Sequence, residues 1–248
     1  MAALDANAAR GILRAGFISG GAFIVTSAIR GCVHGEDWKA DLLWTVVFGG
    51  SALVLLAAVG FLGVRLLLKS RLPAEIGRGN VAAGIAGAAH LAATGIIIGS
   101  CFYGDDVMTL GVSMVFFVIA QLTLHLFVIL FRTLTLYADD EEVMGENLAA
   151  AVSYAGAMLA LAIIIGHAAE GEFEGWGASL RAYGVALASA IVLYPVRQLV
   201  VQTLILRHRF SLRGGALDHL VARDRNVGVS AVEAVSYVSA AVLLSGIL

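Results

Sequence analysis

The sequence is poor in charge, in proline and in cysteine. Only 14% of its 248 residues are charged, whereas 60% are hydrophobic, and it contains two prolines and two cysteines. A water-soluble chain of this length needs a much larger charged surface, because a folded domain keeps nearly all of its Lys, Arg, Asp and Glu in solvent. The scarcity of charge therefore excludes an ordinary soluble domain and indicates a membrane protein.

Several catalytic and ligand-binding patterns are also absent from the sequence. It has no phosphate-binding glycine loop followed by lysine, no HExxH zinc motif and no CxxC pair. The two lysines, Lys39 and Lys69, lie outside the last apolar segment, which excludes a retinal Schiff base there. The few basic residues lie at the ends of apolar segments, a distribution that argues against nucleic-acid binding. We therefore expect no enzymatic activity and no bound cofactor.

What the sequence does contain is a series of long apolar segments. A helix needs about 20 residues to cross the hydrocarbon core of a bilayer. The segments that reach this length are 11–30, 42–68, 81–102, 109–136, 148–168, 180–206 and 227–247. They are continuously apolar rather than alternating, which favours helices over the strands of a membrane barrel. The predicted fold class is all-α, a polytopic membrane protein with seven transmembrane helices, the first of which is a retained helix and not a cleaved signal.

Basic residues are distributed unequally between the two sides of this predicted bundle. Thirteen of the sixteen Lys and Arg residues fall on the side of the N-terminus, and the other side receives only Arg30, Lys39 and Arg181. Loops rich in Lys and Arg face the cytoplasm. The asymmetry predicts a cytoplasmic N-terminus and, after seven crossings, a C-terminus on the opposite side of the membrane.

A polar turn that leads into a helix of small residues recurs four times. The copies are anchored at Asn7, Asn80, Asn147 and Asn226. The residues four positions after each asparagine are Gly11, Gly84, Ala151 and Ser230, and those eight positions after it are Ala15, Ala88, Ala155 and Ala234. Positions i and i+4 share a helix face, so each motif helix presents a small-residue stripe that allows close packing in lipid.

One plain helix separates each motif helix from the next. Successive motif helices are thus an even number of crossings apart, which predicts that all four run parallel. Asparagine is a favourable N-cap residue, so we expect the four asparagines to cap the ends of these helices. The plain helices also share a feature, an arginine near their end at Arg65, Arg132 and Arg197. These arginines are interpreted as side chains that snorkel to the membrane surface, with contacts to anionic lipid or a partner as the alternative.

A plain helix ending in Val-Arg, a short acidic connector, and an asparagine followed by Ala-Ala at the start of a small-residue helix resemble a known family. The pattern is similar to the bacterial inner-membrane family called domain of unknown function 350, whose members have two helix pairs. The resemblance implies two tandem copies: residues 1–105 with three helices, because the first plain helix is missing, and residues 106–248 with four. The resemblance implies this all-α membrane fold and a location in the bacterial cytoplasmic (inner) membrane, with the C-terminus in the periplasm. It implies no activity, because none is established for the family.

Polar residues inside apolar segments are the first candidates for function. Glu233 lies seven residues after Asn226, about 10 Å into its helix. Arg14 lies seven residues after Asn7, so the two can form an ion pair if the motif helices gather around a pseudo-symmetry axis. A carboxylate that handles protons or cations, and a solvated side chain at the cytoplasmic face, are the other two interpretations of Glu233.

Two histidines lie near the predicted midplane. His90 is about 15 Å into the third segment, and His125 lies midway along the fourth, one turn from Gln121. Such a pair can bind haem or a metal, relay protons, or form hydrogen bonds within a packed core. Tyr154 is a further candidate, because it lies where the repeats differ.

The two cysteines fall at the predicted outer ends of their helices. Cys32 follows the first crossing and Cys101 ends the third. An oxidising periplasm permits a disulfide between them if their Cα atoms are close enough. The alternative is that they are two ordinary small apolar residues.

Two classes of function remain open on the sequence alone. The first is a membrane scaffold or accessory subunit, whose partners are the lipid bilayer, a second copy of the chain in a homo-oligomer, or other membrane subunits. The alternative is a small ion or solute transporter or channel that uses intramembrane Glu233 with His90 and His125. The scaffold predicts satisfied polar groups, whereas transport requires a polar cavity that reaches the membrane interior.

Overall fold

The computed structural model describes residues 7–67 and 72–247, and every regular element in these ranges is helical. The elements are α1 Ala8–Cys32, α2 Trp38–Leu67, α3 Leu72–Gly77, α4 Val81–Cys101, α5 Val107–Arg132, α6 Asp139–Met144, α7 Leu148–Ala169, α8 Trp176–Val196, a first π-helical segment Arg197–Ile205, α9 Ala216–Asp218, a second π-helical segment His219–Arg223, and α10 Val227–Ser245. Seven of the described helices are long and apolar enough to cross a membrane. The prediction of an all-α polytopic membrane protein is confirmed.

The four motif helices, α1, α4, α7 and α10, form a row in which each packs against the next. Buried residues make up 72% of the apolar spans of the central helices α4 and α7. They make up only 22% of the apolar spans of α1 and α10, at the two ends of the row. The plain helices form a second layer over this row. Helix α2 packs on α1 and α4, α5 on α4 and α7, and α8 on α7 and α10.

The row depends on close approach between helix backbones. A Cβ atom added to Gly16 of α1 would lie 2.4 Å from the backbone of Ala88 in α4. A Cβ atom added to Gly156 of α7 would lie 2.3 Å from the Cα of Ala234 in α10. Real Cβ atoms do not approach so closely, so glycine is required at both positions. Dispersion contacts over such surfaces hold helices together in lipid, where apolar burial gives little net drive.

Each asparagine caps its own motif helix, as the sequence predicts. The side-chain oxygen of Asn7 accepts the backbone N–H of Arg10 at 3.1 Å, and that of Asn80 accepts the N–H of Ala83 at 3.1 Å. Asn147 and Asn226 cap α7 and α10 in the same way. The caps satisfy amide groups that the first turn of a helix leaves without partners.

The same asparagines also join neighbouring repeats. The side-chain N–H of Asn7 donates to the carbonyl of Ile76 at 2.8 Å, that of Asn80 to Val143 at 2.8 Å, and that of Asn147 to Val221 at 3.0 Å. The starts of all four motif helices are therefore held at one end of the bundle, called here the asparagine end. The opposite end, where Cys32 and Cys101 terminate α1 and α4, is called the cysteine end.

The disulfide alternative is not borne out. Cys32 and Cys101 are both free and both buried, with exposed fractions of 0% and 4%. Cys101 also lines a cavity at the cysteine end. They serve as small apolar residues at the ends of their helices, which was the other interpretation.

Glycines in α1 provide a test of the row. Gly16→Ala is expected to lower the free energy of unfolding by about 1–3 kcal/mol, because the new methyl group overlaps the Ala88 backbone. The matched control is Gly11→Ala in the same helix, where a Cβ would meet nothing within 4 Å. That variant is expected to be unchanged or more stable, because alanine favours helix. Thermal unfolding in detergent measures both, and equal effects would contradict the close packing.

Candidate functional site

A cluster of buried charges lies near the asparagine end between α8, α9 and α10. The Arg197 guanidinium donates from Nε to Oε1 of Glu233 at 2.5 Å and from Nη2 to Oδ1 of Asp218 at 2.9 Å. The exposed fractions of the three side chains are 0% for Arg197, 0% for Glu233 and 3% for Asp218. Charges so far from solvent are costly and are retained in membrane proteins mainly where they serve function.

The helix that carries Arg197 is irregular at this point. Pro195 has no amide hydrogen to donate, and α8 continues beyond it as the π-helical segment Arg197–Ile205. A second π-helical segment, His219–Arg223, follows Asp218 directly. Wide π turns are rare and are found often at functional sites. Two residues of the charged cluster therefore adjoin irregular backbone, and Glu233 lies on the regular helix α10.

The two carboxylates of the cluster differ in how well they are satisfied. Asp218 accepts Arg197 with one oxygen and the backbone N–H of Leu136 with the other, at 2.7 Å. Glu233 accepts Arg197 with Oε1, whereas its buried Oε2 has no hydrogen-bond partner among the described residues. Two carboxylates share one guanidinium, so the ionised cluster carries one uncompensated negative charge. Glu233 is the carboxylate with free bonding capacity.

A related pair occupies the same place in the preceding repeat. Arg132, at the end of α5, donates from Nε to Oδ2 of Asp139 at 2.5 Å, and its Nη2 binds the other oxygen of Asp139. Arg132 also donates to the hydroxyl of Tyr137 at 2.9 Å. Burial raises the pKa of Tyr137 to about 12, so this phenol stays neutral. Here one arginine meets one connector carboxylate, and no third acidic residue joins them at hydrogen-bond distance in the described part of the chain.

The Glu233 carboxylate has no counterpart in the preceding repeat. Asp139 and Asp218 both lie in the connector after their plain helix, and each neutralises the arginine at the end of that helix. Seven residues into the next motif helix, the earlier repeat has Tyr154 and the later one has Glu233. Glu233 is thus an additional carboxylate placed on an arrangement that is already neutral without it.

A groove of about 230 Å³ opens beside the Arg132 pair. Its lining includes Val128, Arg132, Tyr137, Asp139 and Tyr154. The Tyr154 hydroxyl is buried and has no hydrogen-bond partner within the described ranges. Arg132 lies near enough to Glu233 for the two charges to interact. The groove therefore brings polar surface to the neighbourhood of the buried charges.

His90 and His125, which the sequence places on neighbouring helices, meet in the interior of the bundle. Their ring centroids are 5.5 Å apart in an edge-to-face arrangement. Thr94 lies 3.5 Å from Nε2 of His90 and accepts from Gln121 at 3.4 Å. Within residues 7–67 and 72–247, no group of three or more His, Cys, Asp or Glu side chains is arranged to hold a metal ion.

A larger cavity of about 550 Å³ lies at the cysteine end. Three acidic residues, Asp105, Glu170 and Glu172, contribute to its wall, and Ser113 and Phe116 of α5 also line it. The same helix contributes Gln121 and His125 to the polar residues around His90, and Arg132 to the groove at the asparagine end. Helix α5 therefore carries polar positions along its whole length, from one cavity to the other.

Two interpretations made from the sequence are wrong. Arg14 does not pair with Glu233: its side chain is exposed on α1, at the far end of the row from α10. The prediction assumed that the motif helices surround an axis, whereas their close contacts arrange them in line. Arg132 and Arg197 do not snorkel either, because buried carboxylates hold both. The structure describes the backbone of Arg65 but not its side chain.

The sequence reasoning missed Arg197 and Asp218 as partners of Glu233. A signal for both was present. Arg197 is the third arginine of a recurring series. The sequence interpretation placed the whole series at the membrane surface and therefore looked for no buried partner. Asp218 is the only acidic residue between Arg207 and Arg223, in the longer third connector. A single acid within a basic loop is a candidate partner for a buried cation, although its partner cannot be chosen without the tertiary structure.

The fold and the charged cluster define a multi-pass α-helical membrane protein built from an internal repeat. The sequence profile of the family described as Domain of Unknown Function (DUF350) matches residues 3–102 and matches again at residues 106–248. The chain therefore belongs to the DUF350 family and contains two tandem copies, as the repeat pattern predicts. No curated protein and no solved structure is significantly similar to it.

The charged cluster predicts a specific pattern of stability. Arg197→Gln leaves two buried carboxylates without their cation and is expected to lower the free energy of unfolding by about 3–5 kcal/mol. Adding Glu233→Gln removes one of these charges, so the double variant is expected to recover a large part of that loss. Urea or thermal unfolding in detergent measures the cycle. Strictly additive losses would contradict direct coupling between the two side chains.

Proposed function

We propose that the protein moves a proton or a monovalent cation across the bacterial cytoplasmic membrane and that Glu233 binds the ion. The observation that supports this most directly is the surplus buried carboxylate, whose Oε2 has no partner among the described residues. Asp218 already compensates Arg197. A second ionised carboxylate at this depth is expensive unless a proton or a cation neutralises it during function.

The surroundings of Glu233 also favour transport over a purely structural ion pair. A structural pair is satisfied by one cation and one anion, as in Arg132 and Asp139 of the preceding repeat. In the later repeat, the Arg197 guanidinium keeps a buried Nη1 without a partner in the described structure, and π-helical backbone runs through the site. Irregular helix of this kind permits the small rearrangements that ion release requires.

The proposed orientation places the asparagine end in the cytoplasm. The distribution of Lys and Arg in the sequence supports this orientation. Glu233 then lies about 10 Å from the cytoplasmic start of α10. The groove beside Arg132 opens on the cytoplasmic side, and the acidic cavity at the cysteine end opens on the periplasmic side. The proposal involves no covalent chemistry and therefore agrees with the expectation that the protein is not an enzyme.

Glu233→Gln separates a transport role from a structural one. Glutamine retains an oxygen that can accept the Arg197 N–H, and the remaining Arg197 and Asp218 form a neutral pair. We therefore expect a free energy of unfolding that is unchanged or higher by about 1 kcal/mol. Ion flux in proteoliposomes is expected to fall to the level of empty liposomes. Internal pH-sensitive and sodium-sensitive dyes, with an imposed membrane potential, measure the flux.

The control for this experiment is Glu174→Gln, an identical substitution at an exposed position. It is expected to leave flux and stability unchanged. A loss of about 3–5 kcal/mol in Glu233→Gln with normal flux per folded molecule would show that the carboxylate is structural. Wild-type protein that conducts neither ion would overturn the proposal.

A scaffold or accessory subunit is the second candidate function. The observation that favours it is the open small-residue stripe on α1, where a Cβ on Gly11 would meet nothing within 4 Å and Ala15 is exposed. An equivalent stripe is covered in the interior of the row, where Gly84 of α4 packs against Ala9. A second copy or another membrane subunit would dock there through the same close contact. Gly11→Leu is expected to abolish such an assembly in native mass spectrometry while leaving ion flux intact.

A further inference from the structure

The histidine cluster contains several buried polar atoms that lack partners. It is formed by His90 and Thr94 of α4 and by Gln121 and His125 of α5. Nδ1 of His90, Oε1 of Gln121 and Nε2 of His125 are buried, and none has a hydrogen-bond partner within the described ranges. The exposed fractions of His90 and Gln121 are 0% and 6%. A buried polar atom without a partner is costly, so three in one place indicate a role beyond packing.

The tautomer of His125 follows from its one short contact. Its Nδ1 lies 2.6 Å from the backbone carbonyl oxygen of Gln121. A carbonyl oxygen only accepts, so Nδ1 carries the hydrogen. In the neutral ring the remaining nitrogen, Nε2, is then a bare acceptor. His125 is therefore held with its basic nitrogen unoccupied, although the group lies in the interior of the bundle.

We propose that His90 and His125 relay protons through the middle of the membrane, with a water molecule between them. A water molecule has two hydrogens to donate and two lone pairs that accept, so when His90 carries its hydrogen on Nδ1, one water can accept that N–H and donate to Nε2 of His125 and Oε1 of Gln121. In the other tautomer of His90, the water donates to two of these three acceptors. In each transfer Nε2 of His125 takes one proton and the ring becomes a cation. The same nitrogen then gives this proton through the water molecule to Nδ1 of His90, in the tautomer that carries its hydrogen on Nε2, so that His125 becomes neutral again and His90 becomes the cation that passes the proton on. Only N–H and O–H bonds change, and no oxidant or reductant is needed.

The location of the pair is suited to this role. On α5, Phe116 lines the cavity at the cysteine end, and Gln121 follows five residues later, a rise of about 7.5 Å. Val128, which lines the groove at the asparagine end, is three residues after His125, a rise of about 4.5 Å. The histidine cluster thus occupies the interval between the two openings. The groove in turn adjoins Arg132, the arginine that pairs with Asp139.

The relay deepens the proposed function and rests on it, because it selects the proton among the ions that Glu233 could bind. Imidazole passes protons readily at neutral pH. Alkali cations instead prefer oxygen ligands, and the histidine cluster offers few of these. A sodium or potassium ion would therefore gain little at the histidine cluster, whereas a proton finds acceptors there in the imidazole rings and in Oε1 of Gln121.

The test compares ion flux in proteoliposomes that contain full-length variants. His90→Gln and His125→Gln keep hydrogen-bonding side chains but cannot be protonated near neutral pH. Each is expected to slow proton flux by about 100-fold, within the usual range for loss of an acid–base group. His208→Gln, at an exposed histidine of the third connector, is the matched control and is expected to conduct normally. Monodisperse gel filtration confirms that each variant is folded.

The outcomes separate the relay from the proposed function. Normal proton flux in both histidine variants, together with its loss in Glu233→Gln, would overturn the relay and leave the proposed function in place. Flux of sodium without flux of protons would likewise overturn the relay and leave the proposed function in place. Absence of any flux in the wild-type protein would overturn both. Solid-state ¹⁵N NMR of histidine-labelled protein in bilayers adds an independent readout, since the relay requires both rings to exchange their N–H with D₂O, and complete protection of either ring would contradict it.

Discussion

The double role of the repeated asparagines is the interaction on which the rest of the structure depends. With its side-chain oxygen each asparagine caps its own helix, and with its amide N–H the first three bond the connector that begins the next motif helix. The two bonds fix the starts of parallel helices at one level. Glycine and alanine on the facing surfaces then allow backbone contact along the membrane-spanning length. A row results, and its second layer of plain helices is positioned by the grooves between neighbours.

The row also determines where charge can be buried. Arg132 and Arg197 end plain helices that cover grooves of the row, so their guanidinium groups lie beneath the connectors and not at the lipid surface. A connector aspartate compensates each of them. This arrangement creates an electrically neutral pocket at the start of a motif helix, and a glutamate placed seven residues into α10 meets it directly. The surplus charge of Glu233 is thus a single side-chain difference between two copies of one structural unit, because the earlier copy has Tyr154 at the equivalent position.

The sequence interpretation agreed best with the structure for features that are determined by residues close together in the chain. The asparagine caps, the parallel direction of the motif helices and the seven membrane-spanning segments follow from propensity, from spacing and from length. The meeting of His90 and His125 was also foreseeable, because both lie at one depth on neighbouring helices. The Arg14–Glu233 pair was wrong because equal depth does not bring two residues together: α4 and α7 lie between their helices.

By itself, the sequence determined the class of protein, the repeat and the polar residues that the membrane must hold in its interior. These properties depend on hydrophobic length and on periodicity, which are local along the chain. Only the tertiary structure decided that Arg197 and Asp218 are the partners of Glu233, that Cys32 and Cys101 stay free, and that the motif helices stand in line. Those outcomes depend on which helix faces pack together, and in lipid that choice is made by close van der Waals contact between surfaces that look alike in sequence.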